Sequence, residues 1–268
     1  IRILDWRLKK YLLPFFMINF IKAFKLQKNL IIRFSGQEVR LTLSVRAKIN
    51  RYWQVLIGCG KPYRRGEIYT IATVHKSKDL IEVIVDKTDY AHYLYSKNIG
   101  TFGKYAVRII HPSALVISCD GKIILGEMGK QTAGSNTFQL CGGGIDNSDL
   151  QDTAFNLEHC ISKELFEEFG INSTDTTRVA KFEREYVVMD RLNHKITIVY
   201  LVLLKEKASE FLKKYKVFAL SLSQKKELPE FKRIVILSLK KYSIMRFLQK
   251  NAPRCHEHLK PLFEFLLQ

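Results

Sequence analysis

Downstream of a glycine triplet, Gly142-Gly143-Gly144, the chain carries three glutamates, Glu164, Glu167 and Glu168, at positions i, i+3 and i+4. On a helix this spacing projects all three from one side within a single turn. Like charges so close repel, and the negative end of the helix dipole adds to the repulsion. A hard divalent cation, Mg2+ or Mn2+, would relieve that crowding, usually with phosphate oxygens of a substrate completing its shell. A glycine turn brings backbone groups close to the same helix, as a phosphate–metal site requires. The chemistry open to these residues is therefore that of phosphoanhydrides. The competing reading is a solvated acidic face, which is common on helices.

Several elements must position this set. Leu157, Ile161 and Leu165 recur every four residues and give the carrying helix an apolar face, widened by Phe166 and Phe169. Gly170 suits the left-handed end of that helix. Ser148 and Gln151 fit a capping box at its start. Upstream, AVRIIHPSALVISCDGKIILGEMGK reads as strand, hairpin and strand, with Asp120-Gly121 as the turn. Thr137–Cys141 is a short strand running directly into the glycines. Downstream, KFEREYVVMD and KITIVYLVLL read as paired strands about a turn at Asn193-His194. The last stretch, roughly 60 residues, is basic and reads as helical over KASEFLKKYK, LKKYSIMRFLQKN and HEHLKPLFEFLL.

The first third carries no catalytic constellation. LIIRF, EVRLTLSVRA, YWQVLIGCG, EIYTIATV and LIEVIVD are β-branched or alternating runs and read as strands. Residues 30–98 are thus expected to form a β-rich accessory domain or an extension of the main sheet. His75 and His92 stand alone and read as ordinary surface or core residues. Lys97–Lys104, with two glycines, reads as a linker. The apolar run Tyr11–Phe24 is too short to span a bilayer. Arg7, Lys9 and Lys10 before it suggest a signal peptide, but no small-residue cleavage site follows. Residues 1–29 are expected to be a basic, apolar segment, helical by pattern and docked on the body.

Composition bounds the function class. A chain of 268 residues with 47% hydrophobic content can bury a full core, which excludes a disordered protein. Its five cysteines (Cys59, Cys119, Cys141, Cys160, Cys255) are scattered, without a C-x-x-C pair, so a disulfide framework is not expected and a reducing, cytoplasmic setting is. The net charge of +18 attracts polyanions such as nucleotides, RNA or anionic lipid heads, unless the lysines merely solvate the surface. The oligomeric state is open, a homodimer included.

The segment that carries the glutamates resembles the Nudix box, G-x5-E-x7-R-E-U-x-E-E-x-G-U, where U is bulky and aliphatic. Lys163-Glu164-Leu165-Phe166-Glu167-Glu168-Phe169-Gly170-Ile171 fits its second half with one exchange, and Leu140-Cys141-Gly142-Gly143-Gly144-Ile145-Asp146 is similar to the usual lead-in. Asp149 stands where the family has glutamate, and Lys163 where it has arginine, without the bidentate fork. Thirteen residues separate Asp149 from Lys163, against seven in the family. Within a continuous helix the six extra residues would add about 9 Å of rise and roughly 600° of rotation. They are therefore expected to form a loop or separate turn over Leu150–Phe155, which moves the helix N-cap to Asp152 or Thr153.

The resemblance spans residues 105–240 within a domain expected over 99–268, and implies an α+β fold: a Nudix-type α/β/α sandwich with a mixed sheet, preceded by the smaller β-rich unit. It implies that Glu164, Glu167, Glu168 and the carbonyl of Gly143 hold Mg2+ or Mn2+, and that Glu167 or Glu168 acts as base. A later loop is the other source of a base, with Glu183 and Glu185 as candidates or as plain strand-surface charges. Gly142, Gly144, Asp149, Lys163 and Gly170 are the structural positions of the box. Phe138 and Gln139 lie where a base or sugar could be contacted, with Phe138 equally open as a core residue, and Lys122 and Lys130 could contact phosphates or be ordinary exposed lysines. The activity implied is metal-dependent hydrolysis of a phosphoanhydride in a nucleoside diphosphate linked to another moiety, a nucleotide or nucleotide sugar. Alternatives are pyrophosphohydrolysis at RNA 5′ ends and a degenerate domain that binds ligand or partner without catalysis.

Overall fold

A computed structural model describes residues 21–26, 29–61, 63–100, 105–130, 134–190 and 195–268. In chain order these carry β1 (Ile21–Lys25), β2 (Asn29–Glu38), α1 (Leu43–Gly58), β3 (Glu67–Lys76), β4 (Leu80–Asp89) and α2 (Tyr90–Tyr95). Then come β5 (Ile110–Ile117), β6 (Lys122–Met128), β7 (Phe138–Gln139), β8 (Leu150–Gln151) and β9 (Ala154–Phe155). The order ends with α3 (Leu157–Phe169), β10 (Val179–Asp190), β11 (Lys195–Leu204), α4 (Ala208–Gln224), β12 (Phe231–Ser238), α5 (Lys241–Asn251) and α6 (Leu259–Leu266).

Among the described residues the strands form two mixed sheets. The first runs β1-β10-β11-β5-β6-β12, with β7 also on β6, and only β5 and β11 are parallel. The second runs β3-β4-β2-β9-β8, with β2 and β4 parallel. Strand alternation sorts the residues of β5: Ala114 and Val116 pack with α3 and α4, while Leu115 and Ile117 pack with α5 and α6. Helices thus cover both faces of the first sheet, the α/β/α sandwich that the resemblance implies. The inward stripe of α3, Leu157, Ile161 and Leu165, is buried. Each such side chain contributes about 1.5–3 kcal/mol, enough to fix which way the helix turns its opposite, acidic side.

The first third differs from the all-strand expectation. EVRLTLSVRA and YWQVLIGCG lie largely in α1, which the Thr42 hydroxyl caps by accepting the Val45 N–H. Its buried residues, Ile49 and Trp53, are four apart, a helical period inside a run rich in β-branched types. Nor do residues 30–98 stand apart. The second sheet recruits β8 and β9 from beyond residue 149, and Ile32, Tyr69 and Val85 share one core with Ala114, Ile161 and Leu165. Of the helix expected over residues 1–29, Ile21–Lys25 is instead a strand, paired antiparallel with β10, and residues 1–20 lie outside the described residues. The expected linker begins as a helical turn over Ser96–Gly100, and residues 101–104 are outside the description, as is Asn193-His194. In the basic C-terminal part, α4, α5 and α6 lie where helices are expected, but FKRIVILS between them is the edge strand β12.

Candidate functional site

The short strand β7 leads through Cys141, which bridges to Ala114 of β5, into the glycines. Gly142 has φ of +150°, and a Cβ there would lie 2.3 Å from the Pro112 carbonyl oxygen, so no side chain fits. A Cβ on Gly143 would lie 2.0 Å from Glu164 Oε1; the carboxylate occupies the space that this glycine leaves. Gly144 faces open space, its carbonyl accepting a long contact of 3.8 Å from the Cys160 thiol.

Opposite the turn, α3 presents its acids. Glu168 is 2% exposed; its Oε2 accepts the Gly142 N–H at 2.8 Å, while its Oε1 is buried without a hydrogen-bond partner. Burial raises its pKa well above the usual carboxylate range, and Glu230 and Glu164 raise it further. Glu164 is pushed up to about 8 by burial, then by Glu230 and Glu167. Glu167 is exposed at the rim. Glu230, between α4 and β12, brings a fourth carboxyl group against the set. Its backbone carbonyl is held by the Gly129 N–H at 2.8 Å, and burial of its carboxyl raises its pKa, partly offset by its contact with Glu168.

Asp149 and Lys163 brace this cluster. Asp149 is fully buried, its Oδ2 accepting the Asp146 N–H at 3.0 Å and its Oδ1 lying 3.0 Å from His159 Nδ1. Lys163 Nζ donates to Asp146 Oδ2 at 2.8 Å, to the Ser148 hydroxyl at 2.9 Å and to Asp149 Oδ1 at 3.3 Å. Burial opposes its charge, but the bond to Asp146 and the field of Asp149 outweigh that and raise its pKa. The lysine thus spans both aspartates with a single ammonium group.

The enlarged spacer is resolved as expected in kind. Leu150–Phe155 leaves the helix and forms the β8–β9 hairpin, turning through Asp152 at φ of +54°. The N-cap falls one turn of chain later than expected: Asn156, not Asp152 or Thr153, accepts the His159 N–H through its side chain at 3.0 Å. Ser148 sits in a separate 3-10 turn and serves Lys163 instead of capping α3. Gly170, at φ of +64°, closes α3, with the Ile171 N–H returning to the Leu165 carbonyl at 3.1 Å.

The structure gathers Gly142, Gly143, Glu164, Glu168 and Glu230, with Glu167 at the rim. It does not gather the rest. Phe138 is buried in the core against Phe247, with the Arg254 guanidinium over its ring at 4.5 Å. Gln139 is buried in β7. Lys122 opens β6 beside Ser118, four strand positions past Ala114, about 13 Å along the strand. Lys130 is exposed one residue beyond Gly129, the nearer lysine by chain position. Glu183 pairs with Lys181, and Glu185 with Lys25 and Lys181, as surface charges of β10. Sequence reasoning missed Glu230, and ELPEFK carries no signal that would have found it, because only the path between α4 and β12 delivers it.

The donors present suit a hard divalent cation: carboxylate oxygens, one of them a buried orphan, packed against a glycine turn where a side chain at position 143 would displace Glu164. Among the described residues no three acid, histidine or cysteine side chains already stand at metal-ligand spacing. Among the described residues no helix is long and apolar enough to cross a membrane.

No family model and no curated protein matches the chain. Solved structures do. It is similar to a bifunctional NMN adenylyltransferase/ADP-ribose pyrophosphatase from Francisella tularensis, complexed with AMP and a Mn ion, at 20% identity and a TM-score of 0.38 over 60% of this chain and 41% of that one. A MutT protein from Methanosarcina mazei Go1 is similar at 16% identity and 0.36, over 59% of this chain and 92% of that one. The Nudix domain of Shewanella oneidensis NrtR, complexed with ADP-ribose, is similar at 15% identity and 0.37, over 66% and 96%. The chain spans less than half the length of the Francisella enzyme.

Proposed function

We propose that residues 142–171, with Glu230, form a metal-dependent hydrolase site that cleaves a phosphoanhydride in a nucleoside diphosphate linked to another moiety. The observation that carries this reading is Glu168: one carboxylate oxygen tied to the Gly142 N–H, the other buried and unpartnered within a group of acids. Leaving a buried acceptor unmet costs about 1–3 kcal/mol, and more for a charge, unless a ligand meets it. Glu164, Glu167, Glu168 and the Gly143 carbonyl are the proposed holders of Mg2+ or Mn2+. Bound there, the cation would neutralise the diphosphate and lower the pKa of a coordinated water. Gly142 orients Glu168 through its N–H. Glu167 or Glu168 would take the proton of the attacking water, with Glu230, whose proton affinity burial raises, as a further candidate beside Glu168. Lys163, held between Asp146 and Asp149, keeps the start of α3 fixed against the turn.

Phosphate release, measured with Mg2+ and with Mn2+ across nucleoside diphosphate sugars, dinucleotides and triphosphorylated RNA, tests the reading. Turnover of a small nucleotide, lost in Glu168→Gln, is the expected result. Equal turnover by that variant removes the mechanism, preference for the RNA moves the substrate class, and no turnover on any arm leaves a binding domain.

A further inference from the structure

The six residues that lengthen the spacer are built into the second sheet. Arg33 of β2 pairs with Ala154, the Phe34 N–H donates to the Thr153 carbonyl at 2.8 Å, and the Arg33 guanidinium reaches the Thr153 hydroxyl at 3.4 Å. Phe155 is buried, its ring edge-on to Tyr69 with centroids 4.7 Å apart, and Tyr69 packs in turn on Phe34 at 5.4 Å. At the base of the hairpin the Asn156 N–H donates to the Asp149 carbonyl at 2.8 Å. One arm therefore continues into the Asp146–Asp149 brace, and the other into Asn156, the cap from which α3 starts.

From this we infer that the N-terminal sheet is a positioning unit for the acidic helix. By gripping the hairpin it sets where α3 begins, and so the rotation at which Glu164 and Glu168 meet the glycine turn. The inference rests on the reading of that turn as a cation site. A helix advances about 100° per residue. A one-residue slip of its first turn would therefore swing Glu168 away from the Gly142 N–H. Here residues 29–89 reach the site through Phe155, and separately meet the first sheet where the Arg184 guanidinium of β10 donates to the Leu30 carbonyl at 3.0 Å.

Phe155→Ala and Phe155→Leu in the full chain test this, beside Ile49→Val, a mild core change on α1 away from the hairpin. Two quantities are read: Mn2+ affinity by titration, and hydrogen exchange of the amides at 142–144 and 156–160 without metal. Phe155→Ala should weaken Mn2+ binding about tenfold or more, the range typical of lost outer support. It should also speed exchange at both segments, while Phe155→Leu restores most of each and Ile49→Val changes neither. Unchanged exchange and affinity in a folded Phe155→Ala protein overturns the inference, as does an equal effect from Ile49→Val or no recovery with leucine. If the parent itself binds no Mn2+ while Phe155→Ala still loosens both segments, the cation site falls and the positioning role stands.

Discussion

Glu168→Gln should make the metal-free protein more stable and the metal-loaded protein less so. Glu168 and Glu164 both bind protons more tightly in the folded chain than an unfolded carboxyl group does, Glu164 titrating at about 8 against an ordinary 4.5. Between those values the folded state holds more protons, so stability falls as pH rises through the window and is lowest above it. For Glu164 the displacement corresponds to roughly 5 kcal/mol at 1.4 kcal/mol per pH unit, an upper bound that water penetration and side-chain relaxation reduce to about 1–3 kcal/mol. Glutamine removes the Glu168 charge, leaves a carbonyl oxygen for the Gly142 N–H, and relieves Glu164 of one repulsive neighbour. At pH 8.5 without metal the variant should melt about 3–8 °C above the parent, and at pH 5 the difference should shrink towards zero. Saturating Mn2+ should reverse the order: a parent at a hundred times its dissociation constant gains about 2.7 kcal/mol that the variant does not. Thermal unfolding at both pH values, with and without Mn2+, reads all four states. A variant that melts lower than the parent at pH 8.5 without metal, or that gains as much from Mn2+, refutes the reasoning.

Three other outcomes follow from the same geometry. Gly143→Ala places a methyl group against the Glu164 carboxylate, the far end of a flexible side chain, so melting should move by less than about 3 °C while Mn2+ affinity, read by titration, drops markedly. Lys163→Met strands the fully buried Asp149 without its ammonium partner and should cost about 3 kcal/mol in denaturant unfolding, whereas Lys163→Arg should stay near the parent. His258 is buried, with His111 and His256 half-buried beside it near Lys195, and desolvation first, then Lys195, shifts each well below the usual imidazole range. The unfolded chain binds more protons there, so stability should fall as pH drops below about 6.5, by up to 1.4 kcal/mol per pH unit for each histidine. His258→Phe should flatten that slope in acid titrations followed by circular dichroism.

What the sequence made legible, and what it hid, divides along physical lines. Glu164, Glu168 and the glycines could be placed because their positions depend on one helix and one turn, both specified within thirty residues. The hairpin at Asp120-Gly121 and the β10–β11 pair were legible for the same local reason. The run that became α1 misled because propensity is a weak prior, and the Ile49–Trp53 stripe was set by what it packs against. Glu230 was hidden more thoroughly, since it meets the other acids only where the Gly129 N–H holds the backbone between α4 and β12.

The spacer is the instructive middle case. Helix geometry alone showed that Leu150–Phe155 could not continue α3 and keep Asp149 in register, so the departure from helix was foreseeable. Its partner was not: nothing in TAF announces that Arg33 and Phe34, more than a hundred residues upstream, will take it as a strand. That long-range pairing changes how the exchange of arginine for Lys163 is understood. A lysine lacks the fork to orient two groups by itself. With the hairpin pinned and Asp149 buried at its base, the orientation is supplied by the backbone, and a single ammonium group between Asp146 and Asp149 is sufficient. Under the Nudix resemblance the long spacer and Lys163 read as one compensated difference, and Lys163→Arg without shortening the spacer should gain little.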